Sequence, residues 1–283
     1  MKHKKNIQRI FLYFIVILII VWTVSPYLWL IISSLSYKID LTSIPLKWIP
    51  TRLTLENYVG LFFSQGEASF NVNLFINSLK NSTIISVSTM LISMPIGVLA
   101  AYASTRLKFK GGSTVMITSL VAQLIPPIVL VIPLYVILRY FSLTDTTIGL
   151  ILVNISIALP LVIWLMRGYF ATIPYDLEDA ARIDGCSRLG ALARIILPLT
   201  GPGLVSVMIF AFIASWNEYL FAYVLTQANA RTLPVIIGEF STKLGLDYLK
   251  IAAAGVLASL PPVLLALVFQ RFIIKGLTGG AVK

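Results

Sequence analysis

Apolar residues along this chain gather into long runs separated by short polar segments, and six of the runs are long enough to cross a bilayer: Ile10 to Leu35, Leu79 to Thr105, Ser113 to Tyr140, Thr147 to Phe170, Leu199 to Thr226, and Ile251 to Ile274. A membrane-crossing helix needs roughly 20 mostly apolar residues, because the hydrocarbon core is about 30 Å thick and a helix rises about 1.5 Å per residue. The pattern therefore predicts an all-α integral membrane protein with six transmembrane helices, in a single domain over residues 1–283. The first run follows the basic residues Lys2, Lys4, Lys5 and Arg9, as in a secretory signal peptide. It is too long for one and lacks a small-residue cleavage site, so it is expected to be retained. Every run carries proline: Pro26, Pro95, Pro126 with Pro127 and Pro133, Pro160, Pro202, and Pro261 with Pro262. In a membrane, neighbouring helices re-satisfy the freed carbonyls. These prolines fit either kinked helices around a pathway that opens and closes, or the ordinary proline content of membrane spans.

Between the spans, Tyr37 to Ser78 is long and carries turn signals at Pro45, Pro50 and Gly66, with the aromatics Trp48, Tyr58, Phe62 and Phe63 expected to be half-buried. Short interfacial helices or a small cap are expected there. Gln227 to Lys250 is shorter and reads as polar.

Composition agrees with the pattern. The chain is 58% apolar and 12% charged, with a mean hydropathy of +0.92, whereas soluble proteins are about 25% charged. An ordinary cytosolic enzyme, a disordered chain and a secreted disulfide scaffold are excluded. With one cysteine, Cys186, and one histidine, His3, no Cys/His metal site and no Ser-His-Asp triad can be built. The net charge of +11 is explained by topology. Fourteen Lys and Arg fall on the side of the N-terminal tail, from Lys2 through Arg106, Lys108, Lys110, Arg167, Arg182, Arg188 and Arg194 to Arg271, Lys275 and Lys283, against eight on the other side. By the positive-inside rule both termini are cytoplasmic, and no nucleic-acid partner is needed to explain the basic balance.

The segment between the fourth and fifth spans, about residues 171–198, is long for a connector. Asp176 is placed to cap a helix that carries Asp179 in its first turn. Gly185 is placed to end that helix in the left-handed conformation, Ser187 to cap a second one, and Pro198 to mark entry into the fifth span. Ala180, Ala181, Gly185, Cys186 and Ser187 are small, so a partner's backbone can approach, and Asp179 and Asp184 can meet its basic groups. An amphipathic hairpin lying on lipid headgroups is the competing reading. Acidic residues at its tip count against anionic lipid.

The spacing Asp179-Ala180-Ala181, three residues, Gly185, nine residues, Ile195-x-Leu197-Pro198 resembles the E-A-A-x3-G-x9-I-x-L-P loop of ABC importer permeases. It departs from that pattern in having Asp179 for glutamate, and Glu178 beside it leaves the register of the acidic contact open. Leu53 to Tyr58, Asn77-Ser78-Leu79, Trp216-Asn217-Glu218-Tyr219 and the tail Gln270 to Lys283 resemble further signatures of the carbohydrate-type permeases of the maltose/glycerol-phosphate kind. The resemblance implies a type I ABC importer permease fold, in which cytoplasmic coupling helices transmit the work of a separate ATPase. Glu178, Asp179, Ala180, Ala181, Asp184, Gly185, Leu197 and Pro198 would carry that coupling. The implied partners are a second permease, two ATPase subunits that bind ATP and Mg, an extracytoplasmic sugar-binding protein, and membrane lipid. No cofactor is expected on this chain, which has no G-x4-G-K-[ST] stretch and reads as a non-catalytic subunit in the cell membrane.

Polar residues inside the spans are the default pathway candidates: Gln123, Asn154, Ser156, Asn217 and Glu218, with Trp216 and Tyr219 offering aromatic surface for sugar C–H faces. Glu218 lies about 28 Å along its helix at about 1.5 Å per residue, near the outer boundary. A secondary transporter is the rival class, but it calls for membrane-centred ionisable groups or an ion site.

Overall fold

The computed structural model describes residues 2–63, 72–107, 111–240 and 247–279, and among them all regular structure is helical. The elements are α1 (Lys2–Ser34), α2 (Lys38–Thr42), α3 (Glu56–Phe63), α4 (Val72–Arg106), α5 (Gly112–Leu124), α6 (Pro127–Tyr140), α7 (Thr147–Ala171), α8 (Tyr175–Ile183), α9 (Arg188–Ala191), a π-helical turn (Leu192–Ile196), α10 (Leu197–Leu199), α11 (Gly201–Trp216), α12 (Leu220–Leu225), α13 (Leu233–Glu239) and α14 (Tyr248–Gly279). Gly66, Lys108, Lys110, Lys243 and the tail residues Gly280 to Lys283 lie outside the described residues.

Four single helices are long and apolar enough to cross a membrane: Gln8–Ser34, Val72–Arg106, Thr147–Ala171 and Tyr248–Lys275. Two of the expected continuous spans are instead broken. The run 113–140 is two helices, Met116–Leu124 and Pro127–Tyr140, meeting at 103°. Ile125 there is extended, as a residue preceding proline prefers. The run 199–226 is bent at its start and interrupted once within. Arg188–Leu199 and Gly201–Trp216 meet at 85° around Thr200. The interruption at Asn217 to Tyr219 separates α11 from α12. Counting each bent pair as one span gives six.

The chain divides into two compact units: Met1–Phe75 with Ile237–Leu260, and Ile76–Ile236 with Pro261–Lys283. In the first unit, the segment after α1 is stapled back onto the end of that helix. Asn57 Nδ2 donates to the Ser34 and Ser36 carbonyls at 2.9 and 3.0 Å, and the Tyr58 hydroxyl pairs with Ser34 Oγ at 2.7 Å. The two short helices match the expected cap, but only Tyr58 and Phe62 are half-buried. Trp48 and Phe63 are exposed, with Trp48 tilted against Trp29 at 5.1 Å.

The second unit has two buried apolar clusters. One gathers Val98, Tyr102, Val162, Phe170, Ile196 and Val207 from α4, α7, the π turn and α11. The other gathers Ile85, Leu138, Leu150, Phe221, Leu225 and Val235. The stretch read as a polar loop thus contributes Leu233, Val235 and Ile236 to the interior, where Ser82 Oγ accepts the Leu233 N–H at 2.8 Å. Close helix approach depends on small residues, as is general in membrane bundles. Ser78, Ser82, Ser86, Thr89 and Ser93 form a buried stripe along α4. A Cβ on Gly97 would lie 2.4 Å from Val162 Cγ1, and one on Gly203 would lie 2.6–2.7 Å from three ring atoms of Tyr169.

Candidate functional site

The segment after α7 forms a helix, a glycine corner and a second helix, as its sequence suggests. Pro174, not Asp176, occupies the N-cap of α8, so the expected Asp176 cap is corrected: proline's fixed φ starts the helix, and Asp176 and Glu178 stand inside the first turn. At the other end, Cys186 N–H donates to the Ala181 carbonyl at 2.9 Å and Gly185 N–H to Arg182 at 3.1 Å, the paired bonds of a Schellman cap. Gly185 sits at φ +88° with nothing within 4 Å of where a Cβ would project. Ser187 Oγ accepts the Gly190 N–H at 3.1 Å and caps α9.

The acidic residues of α8 and its C-cap divide into two sets, with Asp176 also on the exposed side. Asp179 and Asp184 are exposed, together with Ala180 and Gly185, whereas Glu178 and Ala181 are buried. Leu197 is half-buried and Pro198 exposed at the entry to the bent pair.

Glu178 is buried because it has partners. The Tyr102 hydroxyl donates to its Oε1, and Arg106 Nε lies 3.5 Å from its Oε2. The Arg106 side chain is 1% exposed. Its Nη2 donates to the Phe170 and Ile173 carbonyls at 3.0 and 2.8 Å, and its guanidinium lies 4.2 Å over the Tyr175 ring. The Tyr175 hydroxyl in turn donates to the Thr105 carbonyl at 2.8 Å. One guanidinium at the end of α4 therefore touches the end of α7, the connector after it, and α8. A charge taken out of water is tolerable only when it is paired and hydrogen-bonded.

The polar residues of the spans are arranged differently. Asn154 is buried and donates to the Leu150 carbonyl of its own helix at 2.9 Å, and the exposed Ser156 donates to Val153 at 2.7 Å. Gln123 and Asn217 are exposed. Trp216 is buried and stacked on Phe212 at 5.6 Å, while the half-exposed Tyr219 stacks on Tyr223 at 5.5 Å. Glu218 closes the break before α12, accepting the N–H groups of Phe221 at 2.7 Å and Ala222 at 3.0 Å. Its carboxylate is occupied by its own chain. No group of three or more His, Cys, Asp or Glu side chains able to hold a metal occurs among the described residues.

Sequence reasoning missed three residues. Tyr102 and Arg106 meet Glu178 across more than 70 positions of chain, so no local pattern reveals the pairing. Asp145, in the turn between α6 and α7 at φ +56°, accepts the backbone N–H groups of Gln227, Ala228, Asn229 and Ala230 at 2.9–3.2 Å, plus Asn229 Nδ2 at 2.9 Å. Burial pushes its carboxyl up, but these N–H groups outweigh burial and hold it below the usual carboxylate range. The local signal in the sequence is an aspartate in the short polar stretch Thr144 to Thr147 between two apolar runs, a residue type that tolerates the positive φ found there better than most.

Comparison with known proteins extends the picture over most of the chain. Residues 93–279 match the family described as binding-protein-dependent transport system inner membrane component. A trehalose transport system permease protein of Mycobacterium tuberculosis is 40% identical over 269 residues, covering 94% of each chain. A trehalose/maltose transport system permease protein of Thermococcus litoralis is 37% identical over 279 residues, covering 98% of each. Among solved structures, a bacterial ABC transporter involved in the import of the acidic polysaccharide alginate superimposes with a TM-score of 0.76 at 22% identity, over 95% of this chain and 97% of that one.

Proposed function

The chain belongs to the family of binding-protein-dependent transport system inner membrane components, and from that premise we propose that it is one permease subunit of an ATP-driven sugar importer. It forms half of a translocation pathway with a second permease, in the cell membrane with both termini cytoplasmic. It takes substrate from an extracytoplasmic sugar-binding protein. Two ATPase subunits, carrying ATP and Mg, grip the exposed face of α8 and its glycine corner.

The observation that carries this reading is the split of the acids along α8 and at its C-cap. Glu178 is spent inside the protein, while Asp179 and Asp184 stand exposed beside small Ala180 and the bare Gly185 corner. This split supports Asp179, rather than Glu178, as the outward acid of the loop. A nine-residue helix with two buried residues is too short to be stable alone, so its outward face is suited to a partner.

The relatives and the side-chain chemistry support one substrate class. Relatives named for trehalose, maltose and diacetylchitobiose transport support a neutral disaccharide or a sugar of similar size. The candidate pathway residues Gln123, Asn154, Ser156, Asn217 and Tyr219 offer amides and hydroxyls, with aromatic faces from Trp216 and Tyr219. None of these is a fixed cation that would hold an anion.

The test is assembly. Extracted in detergent from cells expressing its native operon, the tagged chain should bring down a second permease and an ATPase with a Walker motif. A chain that purifies without an ATPase, yet moves sugar along an ion gradient, would overturn the proposal in favour of a secondary transporter.

A further inference from the structure

We propose that Arg106, Tyr102 and Glu178 form a positioning clamp that makes α8 move as one body with the adjoining ends of α4 and α7, so that a stroke delivered to α8 reaches the membrane helices; this rests on the permease reading above and assigns residues within it.

Little else holds α8. Of its nine residues only Glu178 and Ala181 are buried, while Tyr175, Leu177 and Ile183 are 56%, 43% and 86% exposed. Apolar burial on this scale lets a short helix slide or rotate on its seat. An ion pair flanked by directional hydrogen bonds, here Tyr102 to the Glu178 carboxylate and Arg106 Nη2 to the Phe170 and Ile173 carbonyls, resists both.

Arg106 is suited to that task by shape. Its planar guanidinium meets the Glu178 carboxylate through Nε, the Phe170 and Ile173 carbonyls through Nη2, and the Tyr175 ring through its face. Lysine, a point charge on a flexible stem, cannot make all of these contacts at once. The Tyr102 hydroxyl holds the second carboxylate oxygen, so Glu178 is fixed from two sides, one turn of α4 apart. All of this lies behind the exposed Asp179 and Gly185 corner. Loss of the clamp should therefore leave the ATPase-facing surface intact.

The test uses the full complex in proteoliposomes and reads sugar transported per ATP hydrolysed, together with the ATPase retained per permease. Glu178→Gln removes the charge at nearly constant shape. It should keep the ATPase bound and hydrolysing while the sugar-to-ATP ratio falls about tenfold or more, since breaking one partner of a buried pair leaves the other uncompensated. Arg106→Lys should fall between Glu178→Gln and wild type. Tyr102→Phe, which deletes one hydroxyl, covers the case in which Glu178→Gln fails to insert, and it too should lower the ratio at full ATPase retention. Wild-type sugar-to-ATP ratios in both Glu178→Gln and Tyr102→Phe would overturn the clamp. So would loss of ATPase from the complexes with an unchanged ratio in those that remain. A wild-type chain that binds no ATPase would instead sink the permease reading, so the two failures are separable.

Discussion

Replacing Gly185 separates what the corner does for its own chain from what it does for a partner. The residue sits at φ +88°, where a Cβ costs about 1–2 kcal/mol and Asn costs less than other residues. No atom beyond the chain neighbours lies within 4 Å of where a Cβ would sit, so the cost within this chain is set by the backbone conformation. Gly185→Ala and Gly185→Leu should therefore destabilise the corner equally, by about 1 kcal/mol, and Gly185→Asn by less. A docked ATPase changes the order, because the same open space is where its backbone would approach. Gly185→Leu should lose ATPase at least about tenfold more readily than Gly185→Ala, a difference of roughly 1.4 kcal/mol, and Gly185→Asn should show that bulk matters even where strain is small. The assay is the amount of ATPase retained on purified complexes through increasing salt washes, with uptake measured on the same preparations. Equal retention in the Ala, Asn and Leu variants would refute the reasoning, since strain alone would then explain every effect at this position.

Three further outcomes are expected. Gly203→Val should lower the thermal midpoint in detergent by the equivalent of about 1–3 kcal/mol, because its Cβ would lie 2.6–2.7 Å from the Tyr169 ring; trimming that ring with Tyr169→Leu in the same chain should recover part of the loss. Asp145→Asn should cost about 1–3 kcal/mol by removing charge-assisted bonds to the 227–230 backbone. Because the folded-state carboxyl is held below its usual range, the Asp145 contribution should be complete above the unfolded value of about 4 and fade as pH falls through the lower folded value; melting curves of wild type and Asp145→Asn should converge at the acid end. Cys186, the only cysteine and half-buried, should react with an impermeant thiol reagent only after the membrane is opened, and labelling of intact cells would reverse the orientation.

The legible parts of the fold were those fixed by local chemistry. Four apolar runs became four long helices because length and composition alone satisfy a membrane span. Gly185 and Ser187 took their expected roles because left-handed φ and N-capping each favour few residue types. The bend at Ile125 was hidden inside a continuous apolar run, where hydropathy is blind to direction even though Pro126 and Pro127 marked the place, whereas the bend at Thr200 falls where Pro198 marks entry to the fifth span. Asp176 failed as a cap because Pro174 starts the helix two residues earlier. Asn217 to Tyr219 read as part of a span, yet the Glu218 carboxylate binds the first N–H groups of α12 and stabilises a break there. Glu178 was visible as an acid but not as a buried one, because its partners Tyr102 and Arg106 come from a helix far back in the chain. The stretch around Leu233 read as polar because its ends are polar, although the short run Leu233 to Ile237 is apolar; Leu233, Val235 and Ile236 are buried, and Val235 joins Ile85 and Leu150 in the second cluster.

Uptake by the reconstituted system tests the central claim most directly. Proteoliposomes containing this chain, its second permease and the ATPase, with the cognate binding protein outside and ATP inside, should accumulate labelled trehalose or a related neutral disaccharide. That accumulation should stop when ATP is replaced by a non-hydrolysable analogue or when Asp179→Lys reverses the charge of the outward acid. Capture and uptake of a phosphate ester or an amino acid with no sugar transport, or sugar uptake that is unchanged without ATP hydrolysis, would contradict the account.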